Sequence, residues 1–273
     1  MEMRLMGPLS VSWNGRSDIP SARKPRKVLA LLLLNEGKPV TVNSLLTELW
    51  GDEPPRSALT TLQTYVLQLR KSLASMGECS VTDVSRRLLM TWPCGYVFNV
   101  EENSRVDLRE FRRIAAAGRA AELEGDIRGA VGHFRSALKL WRGPLLADIE
   151  HGPLLRSEAV RMEECRLGMI ERCVEGDLRL GRHREAVSEL SALVSQYPYH
   201  EDLHAQLMIA LYRCGRRQDA LAAFQRLRER MVDGLGLEPG ARLQRLQLAV
   251  LSGEADLDDS MPTPRPAPVG ALA

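Results

Sequence analysis

The sequence lacks the features that would mark a secreted, membrane-bound or disulfide-linked protein. Its five cysteines are scattered without a close pair, which fits reduced thiols better than disulfides or a structural zinc site. The longest apolar run, residues 28–34, is far too short to cross a bilayer. The first residues show no basic stretch followed by an apolar run and a cleavage site. We therefore expect a cytoplasmic protein with no membrane partner.

Strong net charge and a nucleotide-binding motif are also missing. The 37 Lys and Arg residues nearly balance the 35 Asp and Glu residues, so bulk charge does not indicate a polyanionic partner. No GxxxxGK[ST] motif occurs in the chain. With 273 residues, of which 44% are hydrophobic, the chain is long enough for two ordinary globular domains. We expect no catalytic site, metal or cofactor.

Three regions differ in composition and periodicity. Residues 1–106 mix strand and helix signals and predict a winged helix-turn-helix DNA-binding domain of α+β type. Residues 107–253 predict an all-α domain built from tetratricopeptide-like helical repeats, so the protein is mainly α. Residues 254–273 are rich in Pro, Asp and small residues, and we expect a disordered tail there.

Turn and capping residues divide the first region into short elements. Thr41 is a candidate N-cap for the second helix, and Pro93–Gly95 can form the tip of a hairpin. The predicted strands are 3–6, 11–13, 80–84, 88–92 and 96–100, and the predicted helices are 26–37, 42–50 and 56–76. Strands, three helices and a closing hairpin follow the order of a winged helix.

The third predicted helix carries the strongest indication of function. Its apolar residues recur at steps of three and four and predict one buried stripe, which comprises Leu59, Leu62, Val66, Leu69 and Leu73. The opposite face holds Thr, Ser, Gln and Lys, and the helix contains no Asp or Glu. Such a face suits the DNA major groove, where hydroxyls and amides meet base edges and cations meet phosphates.

Basic residues cluster around this helix and around the first one. On their own they could be a solvated face, but beside an acid-free helix and a hairpin they favour DNA binding. We expect Gln68 to contact a base and Lys71 to hold a phosphate, whereas Trp50 and Tyr65 are assigned to the core. The predicted DNA-binding residues are Arg23, Lys24, Lys27, Arg56, Thr60, Thr61, Thr64, Gln68, Arg70, Lys71, Arg86 and Arg87.

The second region contains a repeat. Three segments share a Gly-x-x-x-x-Ala pattern between amphipathic helices, and they start at Gly125, Gly181 and Gly215. The last two are separated by the 34-residue period of tetratricopeptide repeats. The glycine allows a tight turn and the alanine a close approach of two helices. An insertion with a loop and an extra helix, from about Leu155, separates the first copy from the second. We expect this region to bind a protein partner; dimerisation or stiffening is the alternative.

Taken together, these motifs resemble the Streptomyces antibiotic regulatory protein family over most of the chain, from Leu5 to about Gly253. The resemblance rests on segments in a fixed order, which are Arg26–Leu33, Leu49–Gly51 with Pro54–Pro55, Leu62–Val66 with Leu69–Arg70, Gly95–Tyr96, Val106–Asp107 with Phe111, Ala137–Leu138 with Leu140–Gly143, Leu207–Met208 with Ala210–Leu211, and Gly215–Arg216.

The resemblance implies an OmpR-type winged helix followed by a bacterial transcriptional activation domain. It further implies binding to direct repeats in double-stranded promoter DNA, with two protomers forming a dimer on the DNA. It implies recruitment of the RNA polymerase holoenzyme, including its sigma subunit, to activate an antibiotic or other secondary-metabolite gene cluster. No receiver or ATPase module is expected, so control by phosphorylation or nucleotide is not indicated.

Three other interpretations remain open. His200–His204 matches the HExxH motif of zinc proteases, although no histidine follows His204 to complete a zinc site. A repressor of the same architecture is equally compatible with the residues, because the operator position decides the sign of regulation. A helical-repeat scaffold without DNA binding is disfavoured by the acid-free third helix.

Overall fold

The computed structural model describes residues 1–101 and 103–253, so the predicted disordered tail lies outside the described residues. The strands are β1 (Glu2–Arg4), β2 (Ser10–Ser12), β3 (Pro39–Thr41), β4 (Leu89–Trp92), β5 (Gly95–Phe98) and β6 (Arg105–Val106). The helices are α1 (Arg23–Leu34), α2 (Val42–Trp50), α3 (Ala58–Gly77), α4 (Val81–Asp83), α5 (Asp107–Leu123), α6 (Ile127–Leu138), α7 (Pro153–Arg179), α8 (His183–Gln196), α9 (Glu201–Arg213), α10 (Arg217–Leu235) and α11 (Ala241–Ser252). Over these residues no helix is long and apolar enough to cross a membrane.

Contacts divide the chain into two compact units, the first spanning Met1–Ile170 and the second beginning at Glu171. The first unit therefore contains the three-helix arrangement of α1, α2 and α3 together with α5, α6 and the start of α7. The predicted functional boundary after residue 106 does not coincide with this division, and it stays a prediction. The predicted architecture itself, a winged helix followed by a helical region, is confirmed.

The core of the first unit is built around α1 and α3. All residues from Val28 to Leu34 are buried, so α1 is enclosed on every side. Four residues of α3 face this core and are nearly inaccessible to solvent, namely Leu62, Val66, Leu69 and Leu73. The N-cap of α2 is Thr41, as predicted, and its hydroxyl accepts a hydrogen bond from the Ser44 amide at 3.0 Å.

Two small sheets flank these helices. β4 and β5 form the predicted hairpin, and β3 adds to the other side of β5, giving an antiparallel sheet in the order β3-β5-β4. β1 pairs antiparallel with β2 and parallel with β6. The predicted strand at 80–84 is wrong. Ser80 and Asp83 form a capping box that starts α4, which a π-helical turn (Val84–Leu88) continues.

Helical hairpins form at each of the three predicted repeats. The glycines at 125, 181 and 215 have φ values of +82°, +78° and +76°, in the left-handed region that favours glycine. The three turns share one pattern of backbone hydrogen bonds, in which the glycine amide and the next amide donate to carbonyls three and five residues back respectively. Ala130, Ala186 and Ala220, in the first turn of the second helix of each pair, are buried.

Buried or partly buried carboxylates connect the winged helix to the helical segment within the first unit. Asp107 accepts hydrogen bonds from the amides of Leu5 and Met6, at 2.8–2.9 Å. Burial raises the pKa of Asp107, and these amide donors oppose that shift. Asp148 accepts from the Leu9 amide at 2.7 Å and pairs with Arg26. Glu48 reaches from α2 to the first amides of α7. Sequence reasoning did not identify these contacts.

Candidate nucleic-acid interface

One face of α3 is open to solvent along the helix. Its exposed residues recur at steps of three and four, so they share a side of the helix. They comprise Leu59, Thr60, Gln63, Thr64, Leu67, Gln68, Lys71 and Ser75. The structure thus brings four of the predicted DNA-binding residues together on one surface. No acidic side chain belongs to α3, so the potential of this face is not offset from within the helix.

The apolar stripe of α3 differs from the prediction at its first position. Leu59 is 49% exposed and does not pack in the core, in contrast to the other four predicted stripe residues. The predicted helix start at Arg56 is two residues early, because α3 begins at Ala58 and Arg56 lies in the preceding turn. Gln63 and Leu67 belong to the open face and were missed as site residues. Their positions one turn from Thr60 and Thr64 were the signal that could have identified them.

The threonines of α3 are not equivalent. The Thr64 hydroxyl donates a hydrogen bond to the Thr60 carbonyl at 3.0 Å. Its proton is therefore committed to the helix, and Thr64 offers only acceptor lone pairs and a methyl group outward. Thr61 is half-buried, whereas Thr60 and Thr64 are exposed.

Arg70 connects α3 to the β4–β5 hairpin instead of pointing freely into solvent. Its Nε donates to the Leu89 carbonyl at 3.0 Å, and an Nη donates to the Thr91 hydroxyl at 2.8 Å. The guanidinium also lies 6.0 Å from the centre of the Tyr96 ring. Burial lowers the pKa of Arg70 from its ordinary value. Arg70 is thus placed to fix the hairpin relative to α3, a positioning role that differs from the predicted DNA contact.

The segment before β4 adds two exposed cations. Arg86 and Arg87 lie in the π-helical turn, and both side chains are exposed. Hydrogen bonds from Ser80 lower the pKa of Asp83, and the two arginines contribute to the same shift through their charge. Pro93 and Cys94 at the hairpin tip are exposed, as is Trp92 with 48% of its surface accessible. The tip therefore presents an aromatic side chain that the sequence prediction did not include.

The cations of α1 divide into free and engaged groups. Arg23 is exposed at the start of the helix. The ammonium of Lys24 lies 4.5 Å from the centre of the Trp50 ring, a cation–π contact that covers this half-buried side chain. Lys27 is only 9% exposed and is the weakest of the predicted phosphate contacts. Tyr65, assigned to the core, is half-buried.

The HExxH match has a structural explanation in the second unit. His200 precedes α9, where its Nδ1 accepts from the Leu203 amide at 3.4 Å and its Nε2 lies 3.0 Å from Glu171. The Glu201 carboxylate accepts from the Gly240 amide at 2.6 Å. His204 is buried with 4% of its surface accessible. Within residues 1–101 and 103–253 no cluster of three His, Cys, Asp or Glu side chains could hold a metal ion.

Three helices, of which the third has an open face without acids, and a closing hairpin define a winged helix-turn-helix protein. Two family models match consecutive parts of the chain. Residues 16–98 match the C-terminal domain of transcriptional regulatory proteins, and residues 106–251 match the bacterial transcriptional activator domain. The chain belongs to the Streptomyces antibiotic regulatory protein family of transcriptional regulators.

Several relatives are similar over most of this chain. The regulatory protein DnrI of Streptomyces peucetius is 45% identical over 273 residues, and the match covers 100% of this chain and 100% of DnrI. The regulatory protein AfsR of Streptomyces coelicolor is 36% identical over 93% of this chain, which corresponds to 24% of AfsR. A solved structure of Mycobacterium tuberculosis EmbR in complex with a low-affinity phosphopeptide superimposes with a TM-score of 0.82 at 33% identity. That match covers 92% of this chain and 65% of the EmbR chain.

Proposed function

We propose that this regulator binds double-stranded promoter DNA by inserting α3 into the major groove. The observation that carries the proposal is the open face of α3, which is free of acids, bears hydroxyl and amide groups, and includes Lys71 in its C-terminal half. Base edges in the major groove offer hydrogen-bond partners for Gln68 and the threonines. Lys71 lies on this face and Arg56 lies in the turn that precedes α3, and phosphate contacts at both places would fix the register of the helix.

The hairpin provides a second point of contact in the proposal. Arg70 connects the hairpin to α3 through hydrogen bonds to Leu89 and Thr91, so the two elements would meet DNA together. Arg86 and Arg87, with the Trp92–Gly95 tip, would meet the backbone or the minor groove beside the bound site. Arg23, which is exposed at the start of α1, would add a phosphate contact on the same duplex.

The proposal has three further parts. Two protomers bind direct repeats, and the protein recruits the RNA polymerase holoenzyme with its sigma subunit. This recruitment activates an antibiotic gene cluster. These parts rest on family membership, because the relatives DnrI and AfsR are regulatory proteins of Streptomyces. The helical hairpins between residues 107 and 253 would supply the polymerase contact in the cytoplasm.

Selection of genomic fragments with the purified protein tests the proposal, followed by gel-shift titration at two salt concentrations. We expect enrichment of promoter fragments that carry direct repeats and binding that weakens steeply with salt. In vitro transcription with the holoenzyme then tests activation. Repression, or no effect on the transcript level, would contradict the activator assignment. Absence of salt-dependent binding to any duplex would refute DNA binding and leave the helical-repeat scaffold.

Substitution on α3 separates phosphate contacts from base contacts. Lys71→Ala should weaken binding to all sequences and reduce the slope of log affinity against log salt by about 1. Gln68→Ala should instead relax the preference for one base, at a cost of ~1–3 kcal/mol in discrimination. Lys139→Ala removes an exposed lysine from the end of α6 and is the matched control. If Lys71→Ala and Lys139→Ala have equal effects, α3 is not the DNA-binding helix.

A further inference from the structure

Large hydrophobic side chains are exposed at only three places in the described part of residues 1–106. These are Leu59, Leu67 and Trp92, which are 49%, 46% and 48% exposed. Single exposed leucines are common on protein surfaces. Here, however, all three lie on the open face of α3 or at the hairpin tip, the two elements proposed to meet DNA.

Leu67 lies inside the polar face of α3 and not at its border. Gln63 and Thr64 precede it by four and three residues, and Lys71 follows it by four, so these side chains surround it on the helix surface. Leu59 lies closer to the buried stripe. The core beneath α3 is already filled by other residues, including Leu62 and Val66 at 0% and 1% exposure, so Leu67 is not required for packing.

The surroundings of Leu67 favour DNA over an apolar protein surface as its partner. Lys71 is exposed beside it, and α3 contributes no acidic group that would repel phosphates. The 5-methyl group of thymine is the apolar group that base pairs present in the major groove. Thr64 keeps its hydroxyl proton for the Thr60 carbonyl, which leaves its outward methyl next to Leu67 on the helix surface.

We infer that Leu67 is a specificity-determining residue that contacts the 5-methyl group of a thymine in the bound site. The inference rests on the proposed insertion of α3 into the major groove. Loss of one buried methyl contact should weaken binding about fourfold, which follows from ~0.8 kcal/mol per buried carbon group. At that position of the DNA, the protein should bind cytosine and deoxyuridine more weakly than thymine, because both lack the methyl group.

The test uses a duplex recovered by selection, synthesised with deoxyuridine in place of thymidine at one position at a time. Wild-type protein should bind about fourfold more weakly when one particular thymine loses its methyl group. Leu67→Ala should bind the thymine duplex more weakly by a similar factor and should no longer distinguish thymine from uracil at that position. Leu123→Ala removes a leucine that is 89% exposed at the end of α5, and this control should behave as wild type.

The possible results distinguish this inference from the proposed function. Equal affinity of wild-type protein for thymine and uracil duplexes, with normal salt dependence, would overturn the role of Leu67 and leave DNA binding intact. Equal loss of affinity of Leu67→Ala for both duplexes would show that Leu67 acts without the methyl group and would also overturn it. No salt-dependent binding to any duplex would refute the proposed function itself. The wild-type comparison needs no variant, so a folding defect in Leu67→Ala cannot obscure it.

Discussion

Glu48 offers the sharpest test of how the helix-turn-helix is held in place. Its side chain, on a residue that is 2% exposed, accepts hydrogen bonds from the amides of Gly152, Leu154 and Leu155, at 2.6, 2.8 and 3.1 Å. These are the amides at the start of α7 that have no carbonyl partner within the helix. The negatively charged carboxylate also interacts favourably with the positive N-terminal end of the helix dipole. Replacing Glu48 by Ala would remove all of these interactions at once.

The expected cost follows from how well water can reach each amide. Leu155 is fully buried, so its amide would stay unsatisfied, whereas the amides of Gly152 and Leu154 lie where water can partly replace the carboxylate. At ~1–3 kcal/mol for each unsatisfied buried group, and less for a hydrated one, Glu48→Ala should destabilise the first unit by ~3–5 kcal/mol. Glu48→Gln keeps one oxygen and should cost about half as much.

Urea unfolding followed by tryptophan fluorescence measures this cost as a shift in midpoint at constant slope. Glu53→Gln is the matched control, because Glu53 is exposed in the loop between α2 and α3. It should change stability by less than ~0.5 kcal/mol. A Glu48→Ala protein within ~1 kcal/mol of wild type would show that the capping contact contributes little, and would refute this explanation of how α2 is supported.

Two further predictions concern packing and pH. A Cβ at Gly118 would lie 2.5 Å from the Phe134 ring, so Gly118→Ala should destabilise the protein by ~1–3 kcal/mol. A Cβ at Gly132 would meet open space, so Gly132→Ala should stabilise α6 by up to ~1 kcal/mol. Urea unfolding measures both effects. Burial, with Arg230, Arg226 and His200 nearby, lowers the pKa of His204 to about 4 from its ordinary value of 6.5. Between pH 6.5 and about pH 4, the His204 imidazole is protonated in the unfolded chain and neutral in the folded protein. The free energy of unfolding should therefore fall by ~1–3 kcal/mol from pH 7 to pH 4.

Each of these predictions has a contrasting outcome. If both glycine variants changed stability in the same direction, contact with Phe134 would not be the reason for glycine at position 118. For the histidine, unfolding curves of His204→Leu should lose the part of the pH dependence that His204 contributes. An unchanged difference between pH 7 and pH 4 in that variant would assign the effect to other groups.

The sequence predicts those parts of the structure that depend on periodicity and on local turn chemistry. The bounds of α2 and its Thr41 cap, the buried stripe of α3 and the three glycine turns all have signals within one or two helical turns. Leu59 is wrongly predicted as part of the buried stripe of α3, because helical spacing does not show at which residue a buried stripe ends. The strand predicted at 80–84 ignored the capping box of Ser80 and Asp83, a local signal that was available.

Contacts between distant residues had no comparable signal. Nothing near Arg70 in the sequence indicates that its guanidinium is directed to Leu89 and Thr91, and a lone arginine on a helix beside Lys71 is as consistent with DNA as with the hairpin. Charge alone likewise predicts DNA contacts for Lys24 and Lys27, although Lys24 covers Trp50 and Lys27 is buried. Composition thus predicts a DNA interface on α3 and the hairpin, but it cannot separate the exposed residues from those that support the fold.

The structure is continuous across the change of composition at residue 106. β6 (Arg105–Val106) pairs with β1, and Asp107 at the next position accepts from the amides of Leu5 and Met6, so the transition itself is held by the N-terminal strand. Glu48 then fixes the start of α7 against α2. The contacts that support the N-terminal strand and α2 therefore include residues at the starts of α5 and α7, and we expect substitutions there to affect the winged helix without changing the open face of α3.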